Sequence, residues 1–463
     1  MRIKYYLTII AIFLVNCSSN IPELPSKPQE VSPLNEINEV SSKDSFEGVQ
    51  FFMDGMMFFE QGDYARAILE FQEAIEVGSN SAEVIFNMSE AYWMLQKYDK
   101  SIFYAKRAIE FDDNAKDYKI SLGKKYIALN DYESSLDIFS KIIQIDPNNA
   151  DILFIIGDLK AELNDIDGAL LYYQEAYSKN NDLVLALEVA VQLAYNSKHR
   201  DLSKLFKKLL LADPSNSEYL RGYLESVDGG NIDELLELLN INSIQGNPFY
   251  NNLYNQIALE YVRLGNLDFA EEYFKKSLSK KDNDRFALYY LSLVYRDLGR
   301  NDLALEISKK HISYYPNDKE GYMNSSLSLI SLQRYDEAIE ELKLAVSLFP
   351  DDFEFNYFLG LASYSNESFE DAEIFYSKSL LIDQNSVAAM HGLAMTYDQN
   401  EEWNKSDELY TKLISLNDQD AQAYNNFAYS LVERDEDLDY ALALAKKAVF
   451  ISPDISPYLD TIG

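Results

Sequence analysis

Apolar positions along this chain fall at helical spacing, and the whole pattern recurs with a long period. The clearest stretch is "IFNMSEAYWMLQKYDKSIFYAKRAIEFDD", two amphipathic runs separated by a short polar break. The same figure restarts at Gly48, Ala82, Lys116, Ala150 and Val184, and again at Asn251, Arg285, Lys319, Phe353, Val387 and Ala421. Within each of the two groups the starts are 34 residues apart.

The register can be checked column by column. Position 20 of the period holds Ala67, Ser101, Ser135, Ala169, Ser203, Ala270, Ala304, Ala338, Ala372 and Ser406, and the last copy supplies Ala441 one place late. Only small side chains let two helices of a hairpin cross closely there. Position 8 is also small, from Gly55, Ser89 and Gly123 to Ala394 and Ala428, with Val191 as the exception. Large rings recur at position 11 (Phe58, Tyr92, Tyr126, Tyr261, Tyr295, Tyr397) and at position 24 (Phe71, Phe139, Tyr173, Phe274, Tyr376, Tyr410). Pro147, Pro316 and Pro350 stand at position 32, where proline stops a second helix.

This set of positions resembles the tetratricopeptide repeat, over about nine-tenths of the chain. The resemblance implies an all-α fold, a right-handed superhelical solenoid of about twelve helix-turn-helix repeats. It also accounts for the 35 tyrosines, most of which occupy seams that need an aromatic ring.

Between Val184 and Tyr250 the pattern weakens. Gly48 to Asn251 is 203 residues, one short of six periods of 34. The stretch 217–250 therefore reads as a degenerate repeat or a hinge, between an array at 48–216 and another at 251–455. Gly229-Gly230 favours a local bend. Residues 456–463 read as the start of a further repeat, which implies that the chain continues in a longer protein.

The N-terminus departs from the period. Arg2 and Lys4 precede an apolar run from Tyr5 to Val15, too short to span a bilayer as a helix. Leu14-Val15-Asn16-Cys17 resembles the lipobox of bacterial lipoproteins, although Asn16 stands where that family has Gly, Ala or Ser. The resemblance implies a signal peptide at 1–16 and lipidation of Cys17, the sole cysteine. Ser18 in place of Asp favours the outer membrane, with the protein on its periplasmic face. Residues 17–47, with Pro22, Pro25, Pro28 and Pro33, then read as a flexible tether. Mostly extended at about 3.1 Å per residue, its segment 18–45 reaches on the order of 80 Å.

Composition narrows the function. With 76 acidic against 41 basic residues the net charge is -35, which argues against nucleic acid. One cysteine leaves no internal disulfide, and the three histidines offer no metal-ligand spacing. No nucleophile-base pair and no phosphate-binding glycine loop stands out, so neither an enzyme nor a cofactor site is expected.

In tetratricopeptide proteins ligands lie along the concave face, on positions 2, 5, 9 and 12 of each first helix. By that resemblance the candidate partner-binding residues are Phe52, Phe86, Trp93, Phe154, Tyr289, Tyr357, Tyr364, His391 and Tyr429. Basic residues at these positions are few, Lys124 and Arg296. The implied function is a membrane-anchored scaffold of the bacterial envelope. It would bind an extended peptide or a helix of a partner protein, and touch the membrane through its lipid alone. The alternatives are a regulatory arm of a larger enzyme, or a carbohydrate-handling protein whose rings stack on sugars.

Overall fold

The computed structural model describes residues 46–79, 81–227 and 232–453, with 455, 458, 460 and 461. Among them are 24 α-helices and one 3-10 helix, with no strand. Segment 1–16, Cys17, nearly all of the tether, Gly229-Gly230 and most of 456–463 lie outside the described residues. The chain divides into two compact units, Met1–Ile142 and Ile143–Gly463.

In the first unit the helices pair as hairpins, Phe46–Glu60 with Tyr64–Glu76 and Ala82–Met94 with Tyr98–Phe111; Lys116–Ala128 then turns into Tyr132–Ile145. Each hairpin turn forces one residue into the left-handed region, at position 15. Gly62 takes it at φ 79°, but Gln96 and Asn130 do so at 59° and 58°. Asparagine tolerates this backbone better than most residues with a side chain; glycine accepts it freely.

The small columns have a direct structural cause. Ser89 and Ser101, at positions 8 and 20, each donate a hydroxyl to the other's carbonyl oxygen at 2.8 Å. Position 8 also faces the ring at position 24. A Cβ placed on Gly55 would lie 2.6 Å from the Phe71 ring, and one on Gly123 2.6 Å from Phe139. Phe71 and Phe139 are fully buried by this contact. Each ring gains about 1.5–3 kcal/mol from burial, on condition that its glycine or serine stays small.

The second unit repeats the same hairpins, from Ala150–Glu162 with Ile166–Lys179 to Ala421–Glu433 with Leu438–Ile451. Gly157 faces Tyr173 as Gly123 faces Phe139, and the Tyr376 ring lies between Gly360 and Gly392.

The stretch 217–250 keeps a hairpin in shortened form. Its first helix is Ser217–Ser226, its second only Ile232–Leu239, and a 3-10 turn follows at Asn242–Gly246. One apolar cluster runs through it, joining Leu210 before it, Leu220, Leu235 and Ile244 within it, and Leu253 and Ile257 after it. Asn247, 4% exposed, donates its amide to the carbonyls of Pro214 and Asn216 at 3.2 and 3.1 Å. The backbone shortened by the missing residue is thus tied back to the preceding loop.

From Asn251 onward an ionic ladder joins the repeats. Four first helices here, Arg285–Asp297, Lys319–Ser331, Phe353–Ser365 and Ala421–Glu433, start at an Asp whose carboxylate caps its own helix, as Asp284 does for Ala287. Position 1 of the preceding repeat reaches that Asp. Asn251 bonds Asp284 at 3.0 Å, Arg285 pairs with Asp318, and Lys319 bonds Asp352 at 3.1 Å. His391 binds Asp420 in the same role from position 5, at 2.9 Å.

Candidate functional site

The first helices are the elements on which a binding surface can be built. In the second unit successive first helices touch, as Arg285–Asp297 does Lys319–Ser331, while successive second helices make no comparable contact. Side chains at positions 5, 9 and 12 of the first helices therefore stand close to their equivalents one repeat away.

The aromatic candidates fall into small separate groups. In the first unit Phe52 sits 5.9 Å from the Phe71 ring. Phe86 stacks on Tyr118 at 4.3 Å and 19°, and Trp93 tilts against Tyr98 at 4.7 Å. Phe86 and Trp93 share one neighbour, the Lys125 ammonium, at 5.7 and 5.8 Å from their rings. Lys125 is 4% exposed. Its Nζ pairs with Glu90 and donates to the Ser121 hydroxyl at 2.7 Å, and that hydroxyl donates to Glu90 at 2.7 Å. Burial pulls the ammonium below its ordinary pKa, and the Glu90 carboxylate opposes that shift.

In the second unit Phe154 lies 5.5 Å from Tyr173, whose hydroxyl donates to Asp158 at 2.7 Å. Burial raises the Asp158 carboxyl to about 6, against the hydrogen bond from Tyr173 and with help from the nearby Glu162 charge. Tyr289 meets Tyr290 edge to face at 4.9 Å. Tyr357 and Tyr364 both pack on the cluster around Tyr376. His391 is 7% exposed and turned to Asp420, so its ring closes a seam between repeats. Tyr429 is 54% exposed and is the most open of the nine. Cys17 lies outside the described residues.

Two features escape a reading by aromatic content. Lys124 is exposed, and its neighbour Lys125 is the buried cation. The sign was its column: position 10 elsewhere holds Ala91, Leu159, Val294 or Ala362, so a lysine there needs a buried carboxylate.

The second feature is position 9 itself. From Met56 the column runs Glu90, Lys124, Asp158, Gln192 and Glu225; it then becomes Leu259, Leu293, Leu327, Leu361, Met395 and Tyr429. All of the latter but Tyr429 are half-buried. The inner layer is thus polar over the early repeats and apolar over six successive later ones.

Among the described residues, no cluster of three or more His, Cys, Asp or Glu could hold a metal ion. No helix there is long and apolar enough to cross a membrane. The arrangement offers surfaces for contact, with its strongly shifted groups tied into seams.

Known proteins agree with this architecture. A tetratricopeptide repeat family model matches residues 53–116, 120–183 and 324–387. Two further tetratricopeptide models match 252–282 and 286–318. No curated protein matches the chain.

Several solved structures are similar over long stretches. The Cut9–Hcn1 hetero-tetramer of the APC/C is 14% identical, over 90% of this chain and 96% of that one, with a TM-score of 0.40. Yeast Tom70 is 15% identical, over 90% and 94%, with a TM-score of 0.36. MamA from Desulfovibrio magneticus RS-1 is 23% identical, over 37% of this chain and 96% of that one, with a TM-score of 0.35. The family matches cover more than half of the sequence on the hairpins described above, and the chain belongs to the tetratricopeptide repeat family.

Proposed function

We propose that this protein is a scaffold held at a bacterial membrane by a lipid on Cys17, and that its first-helix layer binds segments of partner proteins in the cell envelope. The observation that carries the binding part is the inner column of Leu259, Leu293, Leu327 and Leu361, half-buried side chains on neighbouring helices. Apolar surface arranged in a line on rigid helices suits an extended peptide or an amphipathic helix, which would add several weak contacts in series. Anchoring rests on the lipobox-like Leu14-Val15-Asn16-Cys17 and the proline-rich tether that follows. The lipid would supply local concentration, and the tether would set reach.

Photo-crosslinking from Trp93 and Tyr357 in living cells tests the binding part. Capture of defined envelope proteins from these positions is expected, and no protein captured from either would overturn it. A clickable fatty acid tests the anchor: label is expected on the wild type and absent from Cys17→Ala. Equal label on both would overturn the lipid reading.

A further inference from the structure

The inner layer of the later repeats carries one cation that the protein does not neutralise. Among the described residues, the first helices between 250 and 433 hold four lysines and arginines, Arg263, Arg285, Arg296 and Lys319. Arg263 pairs with Glu260, Arg285 with Asp318 and Lys319 with Asp352. Among the described residues Arg296 pairs with no carboxylate, in a chain with nearly twice as many acids as bases.

Arg296 is also half-buried, and burial pulls its guanidinium below the ordinary value, opposed by the nearby Asp297 charge and then by the Tyr289 side chain. A guanidinium in that setting carries a desolvation cost without the ion pair that usually compensates it. Its position is fixed from behind. Nη1 donates to Asn324 Oδ1 at 3.3 Å, and the Asn324 amide donates to the Ser292 hydroxyl at 2.8 Å. That hydroxyl donates to the Tyr289 carbonyl at 2.6 Å, and Asn324 is 3% exposed. One guanidinium nitrogen is thus held, and the remaining donors of the fork have no partner among the described residues.

Arg296 stands at position 12, one helical turn beyond Leu293 and on the helix before Leu327. An apolar column therefore runs beside a positive charge that has no ion-pair partner among the described residues.

Resting on the scaffold reading above, we infer that this part of the groove takes a peptide segment of a partner protein that lays apolar side chains along Leu293, Leu327 and Leu361 and places a Glu or Asp side chain on Arg296. The carboxylate completes a two-pronged, charge-assisted contact in a place sheltered from water. The leucine column supplies affinity, and the arginine sets register and direction along the groove.

The test uses fluorescence anisotropy with the full chain and acetylated, amidated 15-residue peptides. Each peptide carries Leu or Phe at every third or fourth residue and a single Glu, stepped along the sequence; Gln and Lys sets are made in parallel. Blocked ends remove the terminal carboxylate as a source of charge. At least one Glu peptide is expected to bind about tenfold tighter than its Gln twin, the scale of one charge-assisted pair. Arg296→Gln should erase that preference while leaving the Gln peptide unchanged, and Arg296→Glu should transfer it to the Lys peptide. Leu327→Asp should abolish binding of every peptide, with circular dichroism confirming that each variant is folded.

Equal binding of Glu and Gln peptides, combined with loss on Leu327→Asp, would overturn the carboxylate inference and leave the scaffold reading standing. A Gln peptide made alongside with an unblocked C-terminus, if it binds tighter than every blocked Glu peptide, would also overturn it. No binding by any peptide, or binding indifferent to Leu327→Asp, would overturn both.

Discussion

The repeats before residue 217 and those after residue 250 share their seams and differ in their inner surface. Positions 8, 20 and 24 are interchangeable between the two stretches. Gly123 against Phe139 and Gly360 against Tyr376 are the same contact. Position 9 is not interchangeable, with Glu90, Lys124 and Asp158 in one stretch and Leu293, Leu327 and Leu361 in the other. The columns that make a repeat fold are therefore separate from the columns that vary along the candidate groove. Capping differs as well. Asp284, Asp318 and Asp352 cap later first helices and accept ladder bonds, whereas the early first helices start at Ser81 and Asn149, which cap theirs, or at Ala115 and Leu183, which make no side-chain cap.

If the seams are equivalent, removing a ring should damage both stretches alike. Phe71→Ala and Tyr376→Ala each remove a ring that is nearly or fully buried against a glycine. Each should cost about 3–5 kcal/mol in its own stretch. Hydrogen exchange, followed by mass spectrometry under increasing urea, reads the stability of each stretch separately. A large loss for one ring and little for the other would break the equivalence.

Asp158 sharpens the difference at the inner surface. Its carboxyl sits at about 6 in the fold against an ordinary 3.8, because it is buried. The folded chain therefore holds this proton more tightly than the unfolded one. The stabilisation is complete below about pH 4 and is lost as the pH rises through about 6. Asp158→Asn keeps an acceptor for the Tyr173 hydroxyl and removes the titration. The variant should match the wild type near pH 4 and exceed it by about 2–3 kcal/mol at pH 7. Urea midpoints across that range check it; parallel curves at every pH would show that Asp158 is not the group responsible.

Lys125 probes the same stretch by charge removal. Lys125→Met leaves Glu90 without its partner and should cost about 1–3 kcal/mol. The double variant with Glu90→Leu should recover most of that, because an apolar pair fits a buried site as well as an ion pair does. Thermal melts of the single and double variants decide the matter, and an equal loss in both would mean that packing against Phe86 and Trp93 outweighs the pair.

These contrasts also mark how far the sequence could be read. The hairpins were legible because each of the small and aromatic columns repeats many times, so Val191 at position 8 could not hide the register. The degenerate repeat was legible as length and composition. Its closure by Asn247 was not, because one asparagine bonding two carbonyls some 31 and 33 residues away leaves no periodic trace. The candidate binding surface was legible only as a set of positions. His391 looked like a groove residue by number, yet its partner is the Asp420 cap of the next helix, a pairing set by the fold between repeats. Arg296 was visible as a rare cation, but its lack of a carboxylate could be known only once every neighbour had been placed.

The smallest expected effect tests whether capping is a real difference between the stretches or a matter of single residues. Ala115 precedes the helix Lys116–Ala128 with φ -68° and ψ 90°, the extended backbone of an N-cap, and it makes no side-chain bond to the helix. Asp284 occupies the equivalent place in a later repeat with φ -68° and ψ 106°, and its carboxylate accepts from the Ala287 amide at 3.0 Å. The backbones match, so Ala115→Asp needs no rearrangement to make the same bond. It should gain about 1 kcal/mol, from one satisfied amide and a negative charge at the positive end of the helix. Hydrogen exchange at the first-turn amides of Lys116–Ala128 is the direct measurement. Slower exchange confined to that turn would show that this repeat lacks only the side chain. Unchanged exchange would mean that the ladder residue one repeat back, such as Asn251 behind Asp284, is what makes the later caps hold.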